Sequence, residues 1–281
     1  MQSDKSTRQE KKISFVGGGN MAAALLHGLV ANGHNKDKLW VTDHNEHKLE
    51  GLSLALGVHT SKDPLVAVKD ADVVVFAVKP FDLKEAMQVV VSTISKHPPL
   101  ILSVATGVHL HSMTEWLGFN TPIVRCMPNA AAMLNCGATG LFANSDIKEE
   151  DRSFAESIMR IVGITVWVEK EELLDAVTAV SGSGPAYYLY FTEALIAAGE
   201  KLGLDSETAS LLARQTALGA ARMGIEVQES LEILRERITS PKGTTEQAIS
   251  SFDSNQFATI IDEAVQAAYA RCKALSKAKE S

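Results

Sequence analysis

Cysteine is scarce in this 281-residue chain: Cys126, Cys136 and Cys272 cannot all pair and show no metal-ligand spacing. That excludes a disulfide-stapled scaffold and predicts a reducing, cytoplasmic setting. No apolar run approaches the ~20 residues needed to cross a bilayer. The opening MQSDKSTRQEKK is polar with no apolar stretch behind it, so residues 1–11 read as a frayed tail and no secretory signal is expected. Basic runs are missing too. At a net charge of −7, neither nucleic acid nor a membrane is an expected partner. None of the eight histidines lies beyond His111. A site drawing on the C-terminal part gets no imidazole from it, which argues against Ser-His-Asp and Cys-His hydrolases assembled across the chain. His109 and His111 are too close in sequence for a helical metal pair, and no third ligand is evident, so no metal site is expected.

What the chain does have is order of two kinds. From residue 12 to 169, short apolar runs (ISFVG, LWVT, DVVVFAV, LILSV, PIVRC, ITVWV) alternate with amphipathic stretches such as MAAALLHGLVANG. Near-continuous apolar strands suit a parallel sheet covered by helices on both faces. The alternation predicts an α/β, doubly wound, Rossmann-type dinucleotide-binding domain. From 170 to 281 the texture becomes Ala-rich and helical with no persuasive strand, which predicts an all-helical second domain. Its helices carry more apolar faces than one small bundle readily buries, so association through that domain is expected.

In ISFVGGGNMAAALLHGL, residues Gly17, Gly19 and Ala22 form G-x-G-x-x-A directly between a strand and a helix. Gly17 permits the tight turn, Gly19 lets the backbone approach a pyrophosphate, and Ala22 allows close helix–strand packing. The diphosphate then sits at the helix N-terminus, against Gly17, Gly18, Gly19, Asn20 and Met21. Asp43 ends the next strand, where an acid accepts hydrogen bonds from the adenosine ribose. Two later strand ends belong to the same rim: Ala77, Val78, Lys79 and Pro80, then Ala105 and Thr106.

ITSPKGTTEQAI, residues 238–249, interrupts the helical part. Thr244 stands three residues ahead of Gln247 in capping-box spacing. Such helix starts hold anions on free N–H groups. It is not a Walker A loop, because the Lys precedes the Gly. By itself the stretch reads first as a capped turn between helices.

FVGGGNMA, AVKP, RCMPN, DAVTAVSGSGPAY and SPKGTT, in this order and spacing, resemble pyrroline-5-carboxylate reductases over about residues 12–273. The resemblance implies NADP(H)-dependent reduction of the cyclic imine 1-pyrroline-5-carboxylate to L-proline, the last step of proline biosynthesis. It implies that Ser240, Gly243, Thr244 and Thr245 bind the substrate carboxylate, that Thr245 lies at the ring nitrogen as the catalytic residue, and that Glu171 and Thr178 lie close to the substrate. It implies homodimers, often assembled into decamers. A protonated imine carries its own electrophilic charge, so no histidine acid is required.

Three residues depart from the family pattern. Lys242 stands where Gly is usual, which strains the backbone if that position needs positive φ. RCMPNAAA lacks the proline common two residues after the Asn. Asp43 occupies a position often held by serine, and its charge opposes a 2′-phosphate, so NAD(H) is the alternative or even preferred donor. Two rivals remain. A β-hydroxyacid dehydrogenase needs a helical lysine, and SGPAYYLYFTEALIAAGE has none before Lys201. A non-catalytic dinucleotide sensor predicts a degraded substrate loop, whereas Thr244 and Thr245 are intact.

Overall fold

The computed structural model describes residues 10–280. Most of the tail expected over residues 1–11 lies outside them. Lys11, however, is held: its ammonium lies over the Phe154 ring and 3.2 Å from Glu150. The chain forms two compact units. One runs to Gly182 and resumes at Ala268; the other is Ser183–Ala267.

The first unit is built on one eight-stranded sheet in the order β3-β2-β1-β4-β5-β6-β7-β8. Its strands are β1 (Ile13–Val16), β2 (Leu39–Thr42), β3 (His59–Ser61), β4 (Val73–Phe76), β5 (Leu100–Ser103), β6 (Ile123–Met127), β7 (Gly137–Ala143) and β8 (Gly163–Trp167). All neighbours are parallel except β6 and β7. Phe15 pairs with Val41 on one side and Val75 on the other. The central strands are buried on both faces, which is why they read as continuous apolar runs. One face packs on Leu25, Leu26 and Leu29 of α1 (Asn20–Ala31), Leu49 and Leu52 of α2 (Glu46–Leu56), and Phe154 and Ile158 of the later helix Glu149–Arg160. The other packs on α3 (Pro64–Val68), on Met87 and Val90 of α4 (Leu83–Ile94), and on Met113 and Leu117 of α5 (Leu110–Leu117). The helix Glu149–Arg160 is α6. Strand order reverses at β1 and β4, and an open α/β sheet binds its ligand in the crevice beyond the carboxyl ends of such a pair.

Two strands, β3 and β7, have no counterpart among the apolar runs of the sequence. GATGLFA lacks the apolar run of a buried strand because a helix lies against it. A Cβ on Gly140 would come within 2.8 Å of Val177 in α7 (Leu173–Val177). The compact units meet in the chain at Gly182, some way past the change of texture at 169/170. Helix α7 buries Leu174 against β7, and the returning C-terminal segment donates a hydrogen bond from Cys272 to Asp175 at 3.2 Å. Texture changes at 169, but packing carries on to 182.

The second unit contains α8 (Gly184–Lys201), α9 (Ser206–Glu226), α10 (Leu231–Arg237), α11 (Thr244–Ser254) and the first half of α12 (Phe257–Glu280). Phe191, Phe252 and Phe257 meet at 5.1–6.3 Å between ring centroids. Few other large side chains are covered: Tyr188 is 77% exposed, Tyr190 75% and Ile225 84%. An apolar surface on that scale points to a partner. No helix among the described residues is long and apolar enough to cross a membrane.

Candidate active site

The glycine loop leaves β1 with Gly17 at φ +101°, a conformation that L side chains rarely adopt. A Cβ there would stand 2.6 Å from the Ala77 carbonyl oxygen. Gly19 is the N-cap of α1 in extended conformation, and no side chain caps the helix. Its absent Cβ would meet open space. Ala22 is fully buried beneath the turn. A cleft of about 760 Å³ opens over the loop, within the roughly 300–1,000 Å³ usual for ligand sites. Gly17, Gly19, Asn20, Met21, Asp43, Ala77, Val78, Lys79, Pro80, Ala105 and Thr106 line it together. Gly18 lies behind the lining and donates its N–H to Asp43 at 2.8 Å.

Asp43 is more than a ribose acceptor. One carboxylate oxygen takes the Gly18 N–H and the other takes the Asn45 N–H, also at 2.8 Å. Burial pushes its carboxyl up, but those two N–H groups, with Lys48 and His44, outweigh burial and hold it below the ordinary aspartate range. The carboxylate therefore ties the glycine loop to the β2 end. Lys48 lies 3.8 Å from it, and Lys62, paired with Glu46 at 2.7 Å, lines the same end of the cleft with His44. Sequence reasoning singles out none of these three; their signal is a basic residue soon after each of two strands.

At the opposite end Lys79 is exposed, and the Thr106 hydroxyl points to the Met127 sulfur at 3.6 Å. Behind this rim lies a charged cluster that the sequence only hints at, by one arginine inside an apolar strand. Arg125 of β6 is 5% exposed and donates to Glu171 at 2.6 Å. The same Glu171 oxygen accepts the Leu110 N–H at the start of α5 at 2.7 Å and lies 3.5 Å from His109 Nδ1. Thr178 opens a π-helical turn, Thr178–Gly182, and its hydroxyl donates to the Leu174 carbonyl at 2.7 Å. Asn129 donates to the Ser181 carbonyl at 3.1 Å and accepts from the Ala138 N–H at 3.3 Å, so a side chain fixes the turn that lacks the usual proline. Burial, then the Asp175 hydrogen bond and charge, push the Cys272 thiol up to about 11, leaving it unreactive.

In the second unit, the 238–249 stretch folds as a turn before α11. Gly243, not Thr244, is the N-cap, and no side chain caps the helix. The expected Thr244–Gln247 capping box is replaced. Glu246 reaches back to accept the Lys242 N–H at 2.8 Å, while Gly243 donates to the Ser240 carbonyl at 2.9 Å. The α11 N–H groups nearest Thr244 and Thr245 are thus left for a ligand. Lys242 does have positive φ, +58°. Relief of a left-handed L-residue is worth roughly 1–2 kcal/mol, against about 0.4–1 kcal/mol for the extra freedom of glycine in the unfolded chain. Lys242→Gly is therefore expected to raise the thermal midpoint slightly in calorimetry. A lowered midpoint would show that the surrounding bonds had already absorbed the strain.

A family model described as "Pyrroline-5-carboxylate reductase dimerisation" matches residues 171–275, and one described as "NADP oxidoreductase coenzyme F420-dependent" matches residues 12–107. A pyrroline-5-carboxylate reductase from Pseudomonas aeruginosa is 42% identical over 95% of this chain and 97% of its own. The solved structure of a pyrroline-5-carboxylate reductase from Coxiella burnetii is 44% identical with a TM-score of 0.91, covering 95% of this chain and 98% of that one. A pyrroline carboxylate reductase from Plasmodium falciparum, solved with NADP bound, is 28% identical with a TM-score of 0.82, covering 95% and 99%.

Proposed function

The chain belongs to the pyrroline-5-carboxylate reductase family, and on that premise we propose how its residues divide the reduction of 1-pyrroline-5-carboxylate to L-proline, with NADPH as donor. The observation that carries the cofactor reading is the glycine cradle. Gly19 faces open space at a helix start that no side chain caps, which is the room a pyrophosphate needs. When bound, the nicotinamide supplies a hydride to the imine carbon. Asp43 and the ring of residues near it hold the adenosine end; Lys79, Pro80, Ala105 and Thr106 flank the nicotinamide end.

NADPH is favoured over NADH because Lys48 and Lys62 supply cations to the end of the cleft where Asp43, though ionised, has both oxygens already engaged. Lys48 lies 3.8 Å from the Asp43 carboxylate, and Lys62, paired with Glu46, lines the same cleft. Lys48→Ala and Lys62→Ala should each cost about 1–2 kcal/mol of NADPH binding, roughly five- to thirtyfold in KM, and leave NADH unchanged. Absorbance at 340 nm with both donors and pyrroline-5-carboxylate measures this, and the wild-type rate tests the activity itself. Equal losses for the two donors would place the lysines away from the 2′-phosphate.

For the substrate, the α11 N-terminus supplies N–H groups from Thr244 and Thr245 to the carboxylate, with Gly243 as the N-cap and Ser240, which accepts the Gly243 N–H, closing the turn. The Thr245 hydroxyl, which can donate or accept, serves the ring nitrogen as it becomes an amine. In the first unit, the Glu171 and Thr178 side chains are engaged by Arg125 and the Leu174 carbonyl, so their part is to position neighbouring segments and not to bind directly. The exposed apolar faces of residues 183–267 suit a homodimer, and the three unpaired cysteines suit a reducing cytoplasm.

A further inference from the structure

Among the described residues, Arg125 and Glu171 form the most deeply placed ion pair of the first unit, with side chains 6% and 18% exposed. Burying such a pair gains little stability over well-packed apolar residues, so its retention calls for another reason. Its partners supply one. The Glu171 oxygen that takes Arg125 also takes the Leu110 N–H, where α5 has no cap from its own N-cap residue, His109. The segment ending at His109 begins with Val104, Ala105 and Thr106, which line the cleft at the end away from Asp43. A dinucleotide with its adenosine at β2 places its nicotinamide at this far end, beyond β4 and β5. On the other side, Glu171 begins the segment that runs through α7 to the π turn, itself pinned by Asn129.

We propose that Glu171, held by Arg125, is a positioning residue for hydride transfer: it fixes the 104–109 loop under the nicotinamide and ties it to the 171–182 segment. The proposal rests on the reductase reading above for the reaction it serves. Hydride transfer is sensitive to donor–acceptor placement, and a misplacement of about 1 Å costs on the order of a hundredfold. Adenosine binding, set at the other end of the cleft, does not depend on this loop.

The test compares wild type, Glu171→Gln and the double variant Arg125→Met/Glu171→Gln. Glutamine keeps an acceptor for the Leu110 N–H but discharges the pair; the double variant removes the stranded buried arginine. Expected for both is a kcat about tenfold to hundredfold lower, a larger primary isotope effect with 4-deuterated NADPH, and an unchanged Kd for 2′,5′-ADP. The fluorescence lifetime of bound NADPH should shorten as the nicotinamide gains freedom, a readout independent of imine reduction. If kcat, isotope effect and lifetime all stay at wild-type values while only the thermal midpoint falls, the pair is structural and the proposal is overturned. It is overturned equally if the double variant regains wild-type kcat. Should Glu171→Gln not fold, Arg125→Lys is read by the same measures. A wild-type protein that fails to reduce pyrroline-5-carboxylate would sink the assigned reaction, while the lifetime comparison would still decide the positioning of the nicotinamide.

Discussion

Gly17→Ala is expected to weaken NADPH binding and to lower stability, whereas Gly19→Ala weakens binding and leaves stability alone. The two substitutions add the same methyl group two residues apart, so the difference lies in what it meets. At Gly17 the new Cβ falls 2.6 Å from the Ala77 carbonyl oxygen and 2.8 Å from its carbon, at a φ of +101°. Backbone atoms cannot step aside as a side chain can. The left-handed conformation costs roughly 1–2 kcal/mol and the overlap about 1–3 kcal/mol more. The chain can relieve the overlap by swinging the loop away from β4, into the space that the diphosphate needs. Together these imply a loss of about 2–5 kcal/mol, roughly thirtyfold to several thousandfold, shared between folding and binding. At Gly19 the Cβ meets nothing in the protein, so the dinucleotide alone feels it. Titration of NADPH fluorescence beside a thermal melt separates the two. If Gly19→Ala binds normally, the diphosphate does not cross that backbone.

How much of the fold and the site is legible in the sequence depends on where the cause of each feature lies. The strand ISFVG and its glycine turn are legible because the signal is local: buried neighbours on both faces demand apolar runs, and the loop demands glycines at fixed spacing. GATGLFA is opaque because Gly140 at its centre answers to Val177 and Leu174, far along the chain, and not to strand propensity. Arg125 shows as a charge out of place in an apolar strand, but its partner lies 46 residues away, and nothing local names Glu171 as the acceptor. Asp43 is legible for half its role. Its place at a strand end predicts a carboxylate facing the ribose, whereas its bonds to Gly18 and Asn45 make it the brace of the loop as well. For Lys242 the departure from glycine is enough to ask about positive φ, and the backbone has it.

Thr245→Ala is expected to lower kcat/KM for the imine by about tenfold to a hundredfold, with NADPH affinity nearly unchanged. Thr245 is half-buried in the first turn of α11, and among the described residues its hydroxyl has no hydrogen-bond partner. Loss of one hydrogen bond made to the reacting nitrogen corresponds to roughly 1–3 kcal/mol. The fold gives no reason for a stability loss of that size: Gly243 is the N-cap, and alanine is a slightly better helix former than threonine, by a few tenths of a kcal/mol. Activity should therefore fall while the thermal midpoint holds or rises. Thr245→Ser, which keeps the hydroxyl and loses the methyl, should recover most of the rate. If Thr245→Ala stays fully active and melts earlier, the residue is part of a helix start and nothing more. If alanine and serine are equally slow, the methyl group packs the substrate ring and the hydroxyl is not what meets the nitrogen.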